Sequence, residues 1–276
     1  MKRLTSACAT WEPTSIAMPT DARPTVLRER ASASGVPRFD LEEWRRRFGL
    51  VAGVTGRGDR PGLGFDLAFR QGEATEAPRA RWEALRTAEP GFDGFIRGAQ
   101  VHGTRVEWHQ QPGDGWTAIQ ETDGHATSLR GTLLAVTVAD CIPVYLVAPS
   151  SGAVALLHAG WRGTAGGILE QGVSRLRERS GAAPGEIVMH CGVGICGECY
   201  EVGSEVLEAF GLRGDGRGPW KLDLRERLVE QGEQLGLSEI TTSAWCTSHH
   251  RPLFHSHRGS GGSDGRMAAF LGHPAG

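Results

Sequence analysis

The stretch from Thr132 to His158 constrains this chain more than any other. Residues 132–139 and 143–148 read as apolar strands, Pro149-Ser-Ser-Gly152 as a turn cluster, and 153–158 as a returning strand. A four-residue loop sets Ala148 opposite Ala153, and counting back sets Pro143 opposite His158. Side chains alternate with period two, so Cys141 shares a face with Pro143. Cys141 is then the diagonal neighbour of His158, at roughly 7–8 Å between backbones. A one-residue slip would turn the two onto opposite faces, so the register is a sharp test.

Helical signals alternate with these strands. Asp40 and Glu43 suit a capping box at the start of a short helix, and Pro78 suits the first turn of one carrying Arg81, Trp82 and Leu85. Thr164 is placed to cap a helix bearing Ile168, Leu169, Val173 and Leu176, after a Gly160–Gly163 turn. Further helices are predicted over 201–211 and 223–235, the second opened by Asp223 and closed by Gly236, and strands over 186–190 and 240–246. Five glycines punctuate Gly53 to Gly64, with Arg57 and Arg60 between them; this reads as a surface loop, an anion-binding loop being the sharper alternative. Residues 1–38 lack sustained periodicity and read as a mobile tail, leaving 39–276 as one domain. The pattern predicts a mixed α/β fold with helices packed outside the sheets.

Lys+Arg number 30 against 32 Asp+Glu, and only Lys2 and Lys221 are lysines. That balance lacks the broad positive field of a non-specific nucleic-acid binder. The longest apolar candidate, Leu133 to Ala148, is broken by Asp140 and Pro143 and is too short to span a bilayer. The N-terminus has no continuous apolar signal-peptide core. These features predict a cytoplasmic protein with no membrane or nucleic-acid partner. Six cysteines, four of them between Cys141 and Cys199, are too sparse for a disulfide scaffold and favour metal or redox chemistry.

Cys141 and His158 on one face can converge on one ion. His102 in Gln100-Val-His-Gly103 is the candidate third ligand, although spacing alone does not select it over His109 or His125. Two imidazoles and a thiolate suit zinc, and three protein ligands leave a fourth position for water or substrate. A bulge before Pro143 would aim Asp140 into the site as a base. Taken alone, a Cys/His pair is more often structural than catalytic.

The strings Gln100-Val-His-Gly103, Ala139-Asp-Cys-Ile-Pro143, His158-Ala-Gly-Trp-Arg-Gly163, Cys199-Tyr-Glu-Val-Gly203, and the tail from Cys246-Thr to Gly265-Arg-Met-Ala-Ala269 occur in this order. Together they resemble the signature blocks of the YfiH family, also called the laccase-domain or polyphenol oxidoreductase family, over roughly residues 50 to 271. The resemblance implies an α/β sandwich with two central sheets and outer helices in α-β-β-α layers. It implies His102, Cys141 and His158 as zinc ligands, and cleavage of purine nucleosides by phosphate, with adenosine deamination as a further activity in which Asp140 would shuttle the proton. Gln100, Arg57, Arg162, Ser256, Arg258 and Arg266 are the candidates for phosphate or ribose. The Gly160–Gly163 turn would offer helix amides to an anion. Departures fall in the substrate wall: Thr55-Gly-Arg57, Phe65-Asp-Leu67, Glu198-Cys199-Tyr200 and His255-Ser-His-Arg258 differ from the usual strings, while the metal triad is intact.

Four other readings compete. Cys141 and His158 would serve a cysteine hydrolase as thiolate and base, and hydrolytic editing of peptidoglycan precursors is a related possibility. Cys191-x4-Cys196-x2-Cys199, with Cys246 downstream, has plant-type iron–sulfur spacing. The older family name implies copper oxidase chemistry; ten histidines are too few for a multicopper laccase, but His255-x-His257 and His249-His250 suit adventitious copper. A zinc-holding binding module is the non-enzyme alternative.

Overall fold

A computed structural model describes residues 24–32, 35–59, 64–70, 72 and 74–276. The chain opens with three short strands, β1 (Thr25–Leu27), β2 (Arg30–Ser32) and β3 (Arg38–Asp40), then α1 (Glu42–Phe48), β4 (Val51–Thr55) and α2 (Glu76–Thr87). Five strands follow: β5 (Gly94–Gly98), β6 (Val106–His109), β7 (Gly115–Ile119), β8 (Gly124–Thr127) and β9 (Thr132–Val138). The predicted hairpin is β10 (Ile142–Ala148) and β11 (Ala153–Ala159), leading into α3 (Trp161–Ala165) and α4 (Ile168–Ser180). The last third holds β12 (Val188–Cys191), β13 (Glu201–Val202), α5 (Ser204–Ala209), β14 (Trp220–Lys221), α6 (Leu224–Gln234), β15 (Glu239–Ser243) and β16 (Met267–Gly272).

The strands form two seven-stranded mixed sheets, ordered β1-β15-β12-β10-β11-β8-β6 and β2-β3-β4-β16-β9-β5-β7, and β13 pairs with β14 alone. Period-two alternation sorts the side chains into layers. Tyr145, Val147, Val154 and Leu156 of the first sheet meet Leu134, Val136 and Leu271 of the second between the sheets. The alternate residues Val144, Leu146, Ala155 and Leu157 pack under Ile168, Leu169, Val173 and Leu176 of α4. On the outer face of the second sheet, Phe95, Leu133 and Phe270 pack with Trp82 and Leu85 of α2. The order is α-β-β-α, the predicted sandwich. No helix among the described residues is long and apolar enough to cross a membrane.

The hairpin register is the one counted from sequence: Ala148 faces Ala153 and Pro143 faces His158. What counting did not show is that β9 and β10 belong to different sheets. Residues 139–141 therefore cross from one sheet to the other, and Asp140 makes the bend at a φ of 90°. A left-handed backbone is costly for any residue but glycine and needs local compensation.

Three local expectations are corrected. The mobile tail does not extend to residue 38, because β1 pairs with β15 and β2 with β3, while residues 1–23 lie outside the described set. Between β1 and β2, the buried Glu29 carboxylate accepts from Ser243 Oγ at 2.7 Å and lies 3.1 Å from His190 Nε2. Three-residue strands carry too little periodicity to be read, and long-range pairing makes them. Asp40 ends β3 and pairs with Arg38 instead of capping α1, whose N-cap is Leu41. Thr164 lies inside α3, its hydroxyl returned to Gly160 O at 2.9 Å; the Gly160–Gly163 segment is itself helical from Trp161, and α4 starts after Gly167. Of the glycine-rich loop, Arg60 and Gly62 lie outside the described residues. Glu29→Ala is expected to cost about 2–6 kcal/mol, since two buried partners lose their acceptor at ~1–3 kcal/mol each. Urea unfolding checks this, and an unchanged midpoint would return this segment to a tail.

Candidate metal centre

His102, Cys141 and His158 meet, with one ligand atom from each lying within 4.8 Å of the others. The two imidazole rings stand edge to face, centroids 4.8 Å apart. Each ligand comes from a differently constrained piece of chain. His158 is near the end of β11, Cys141 is in the crossing between the sheets, and His102 is in the loop after β5 with a φ of 59°.

A residue not recognised from sequence holds them. Asp123, fully buried, accepts hydrogen bonds from the backbone N–H of Val101 (3.0 Å), His102 (2.9 Å) and Gly103 (2.9 Å). Its Oδ1 also lies 2.8 Å from His158 Nδ1, which leaves His158 Nε2 for an ion. One carboxylate therefore wraps the His102 loop and orients the His158 ring. Burial alone would raise the Asp123 carboxyl, but His158 and the backbone N–H groups outweigh it and hold it below the usual range. Burial would likewise raise the Cys141 thiol, yet His158 and His102 bring it down to about 6. Burial would lower His158, and the Cys141 thiolate and Asp123 raise it to about 9.

The glycines of the His158–Gly163 string make room. A Cβ on Gly160 would stand 3.0 Å from Cys141 Sγ and 3.1 Å from a carbon of His102, and one on Gly163 would stand 2.9 Å from Gly103 O. Gly160 thus leaves the space that an ion and its ligands need, and Gly163 lets α3 approach the His102 loop.

The other predicted site residues are held by the fold to different degrees. Both Asp140 oxygens accept hydrogen bonds: Oδ1 from Thr247 Oγ1 (2.6 Å) and Ser256 Oγ (2.7 Å), and Oδ2 from Arg258 N (2.6 Å). It anchors the strained crossing to the 247–258 segment. Ser256 is fully buried in that anchor. Gln100 accepts from Thr137 N and Oγ1 and donates to Thr137 O, stapling the His102 loop to β9. Arg57 is paired with Asp264 and the Arg251 carbonyl, and Arg266 Nη1 donates to the Gly265 carbonyl. Arg162 and Arg258 are exposed. Arg162 stacks on Trp161 at 4.2 Å, and Arg258 lies over the Tyr200 ring at 5.2 Å while donating to Glu201 O. Burial raises the Tyr200 hydroxyl to about 12, with Cys141 adding to the shift, so it remains a donor at neutral pH.

Two side expectations change. Cys191 is fully buried in the core under the helices, and Cys196, Cys199 and Cys246 gather with His249 instead. His255 is buried against Asp264 (2.8 Å) and does not pair with the exposed His257 for copper.

Comparison with known proteins agrees with this architecture. The chain is 35% identical over 247 residues to the purine nucleoside phosphorylase YlmD of Geobacillus stearothermophilus, covering 81% of this chain and 90% of that one. It is 36% identical over 239 residues to a purine nucleoside phosphorylase of Deinococcus radiodurans, covering 82% and 88%. An adenosine deaminase, RL5, from an unknown prokaryotic organism is 35% identical over 161 residues, 54% of this chain and 61% of that one. The crystal structure of the Geobacillus YlmD superposes with a TM-score of 0.79 at 32% identity, covering 90% of this chain and 99% of that one. Residues 51–273 match the family described as multi-copper polyphenol oxidoreductase laccase, and the chain belongs to that family.

Proposed function

We propose that the protein is a zinc-dependent purine nucleoside phosphorylase, converting adenosine or inosine and phosphate to the free base and ribose 1-phosphate. The observation that carries this is the convergence of His102, Cys141 and His158 beside two exposed arginines and a neutral Tyr200 hydroxyl. The donor set fits zinc: two imidazoles, a thiol already lowered by its neighbours, and space guaranteed by Gly160. When bound, zinc supplies Lewis-acid polarisation at its open coordination position.

The chain's own groups supply the rest. Arg258 and Arg162 present guanidinium forks to phosphate, and Tyr200 donates a hydrogen bond to a phosphate or ribose oxygen. In the reaction, a phosphate oxygen bonds to the anomeric carbon as the bond from that carbon to the purine nitrogen breaks, the base leaving with the bonding pair. Orientation of phosphate against that carbon is the task of the arginines. The relative named adenosine deaminase supports a second activity at the same centre, in which water adds to the purine carbon bearing the amino group and ammonia leaves, giving inosine. The cysteines support a cytoplasmic setting, since the five described ones are free and reducing compartments keep them so.

The Asp123–His158–Cys141 chain also fits a thiol hydrolase. His102 favours the metal reading, since a thiol–imidazole dyad requires one ring and this site holds two. Removing metal with a chelator is expected to abolish phosphate-dependent loss of inosine and adenosine, and added zinc to restore it. Turnover that continues without phosphate and survives chelation would establish the hydrolase instead.

A further inference from the structure

We propose that Cys196, Cys199, Cys246 and His249 form a second metal centre, a Cys3His zinc site that clamps the two loops walling the first. Their ligand atoms lie within 4.8 Å of one another, and Cys196 Sγ stands 3.7 Å from His249 Nδ1. Zinc bonds of ~2.3 Å to sulfur and ~2.05 Å to nitrogen in a tetrahedron set an S–N edge of roughly 3.6 Å. The spacing is Cys-x2-Cys followed by Cys-x2-His, the short-loop pattern of structural zinc sites. Ligands this close surround one ion and leave no space for the inorganic sulfides of an iron–sulfur cluster. Cys191, which that cluster would need, is in the core.

The surroundings support an ion. Cys199 N donates to Cys196 O at 3.1 Å, closing the first ligand turn, and His250 N donates to Cys246 O at 3.0 Å in the second. The backbone N–H of Cys196 donates to Cys246 Sγ at 3.3 Å, drawing the first loop onto the second. His249 Nε2, the ring nitrogen turned away from the sulfurs, faces Glu198 at 3.9 Å, which suits the outer partner of a metal-bound imidazole. The buried Arg225 guanidinium donates to Gly194 O (2.9 Å) and Trp245 O (2.6 Å), joining the same two segments. Binding sheds the thiol protons to solvent and changes no oxidation state.

The clamp matters because of what it holds. The first loop continues into Tyr200 and the second into Arg258, and both are tied to Asp140 beside Cys141: Ile195 N donates to Asp140 O and Thr247 Oγ1 to its carboxylate. The centre would thus set the rim of the catalytic site without touching substrate.

The test measures zinc per chain in protein from zinc-supplemented cells, purified without chelator or metal resin. The deciding quantity is the zinc retained by Cys141→Ser, which removes a ligand of the first centre only. One equivalent is expected there, with none in Cys141→Ser combined with Cys199→Ser and one again with His249→Cys. Cobalt loaded into Cys141→Ser should give the intense thiolate-to-cobalt absorption of three sulfurs. This readout is independent of activity, so the second centre stands even if the phosphorylase reading fails. No zinc in Cys141→Ser, a disulfide among these cysteines in freshly isolated protein, or a brown sulfide-containing chromophore would overturn it. If the double variant does not fold, the zinc content and cobalt spectrum of Cys141→Ser decide alone.

Discussion

Cys141→Ser and His158→Ala should each lower phosphorolysis of inosine by on the order of 10³-fold or more, because the electrostatic stabilisation of a preorganised site is lost as a unit. Serine keeps the size of the side chain but not the soft, readily ionised sulfur. His158→Ala leaves Asp123 buried with no imidazole to orient. His102→Ala should lose a comparable factor, and this separates the readings, because a thiol hydrolase needs only Cys141 and His158. Steady-state kinetics beside zinc analysis of the same samples checks the expectation. A His102→Ala protein that retains turnover while Cys141→Ser does not would displace the metal reading.

The second large effect is expected at Asp123, which touches no substrate. Asp123→Ala would remove the acceptor of three backbone N–H groups in the His102 loop and leave the buried His158 ring without its partner. Breaking such a buried pair costs about 3–5 kcal/mol. Asp123→Asn keeps the volume but turns an NH2 group toward N–H donors, so it should lose part of that stability. Zinc affinity should also fall about 10–100-fold, as for other groups that orient a metal-bound imidazole. Denaturant unfolding gives the first quantity and competition with a chromophoric chelator the second. Wild-type values for both in Asp123→Asn would remove the holding role assigned here.

What could be read from sequence, and what could not, follows the range of the interactions. The hairpin was legible because its turn is four residues long and its register is fixed by counting, so Cys141 and His158 emerged from arithmetic alone. His102 did not; only the resemblance selected it over His109 and His125, which the structure places together 3.1 Å apart on neighbouring strands, with His125 fully buried. Asp123 was invisible because its role is to accept from a loop about twenty residues earlier and a ring 35 residues later, and no local pattern encodes that. Asp140 stood out for its place before Cys141, and Gln100 and Ser256 as substrate candidates; that all three also hydrogen-bond to distant parts of the chain, as buried polar groups generally do, was not legible. The cysteine group was seen in part: spacing drew in Cys191, while the fold exchanged it for His249.

Residues 139–141 step between the two sheets, and the centre is built on that step. Its ligand spacing is therefore governed by the thickness of the layer between the sheets, much as a bolt's fit depends on the plates it joins. Shortening Leu134 or Val147, both in that layer and each several residues along its strand from Cys141, would let those plates settle and so retune metal affinity from afar. The rim segments are pinned to the same step through Asp140, so exchanging them for new substrates would have to keep Thr247, Ser256 and the Arg258 backbone N–H where they stand.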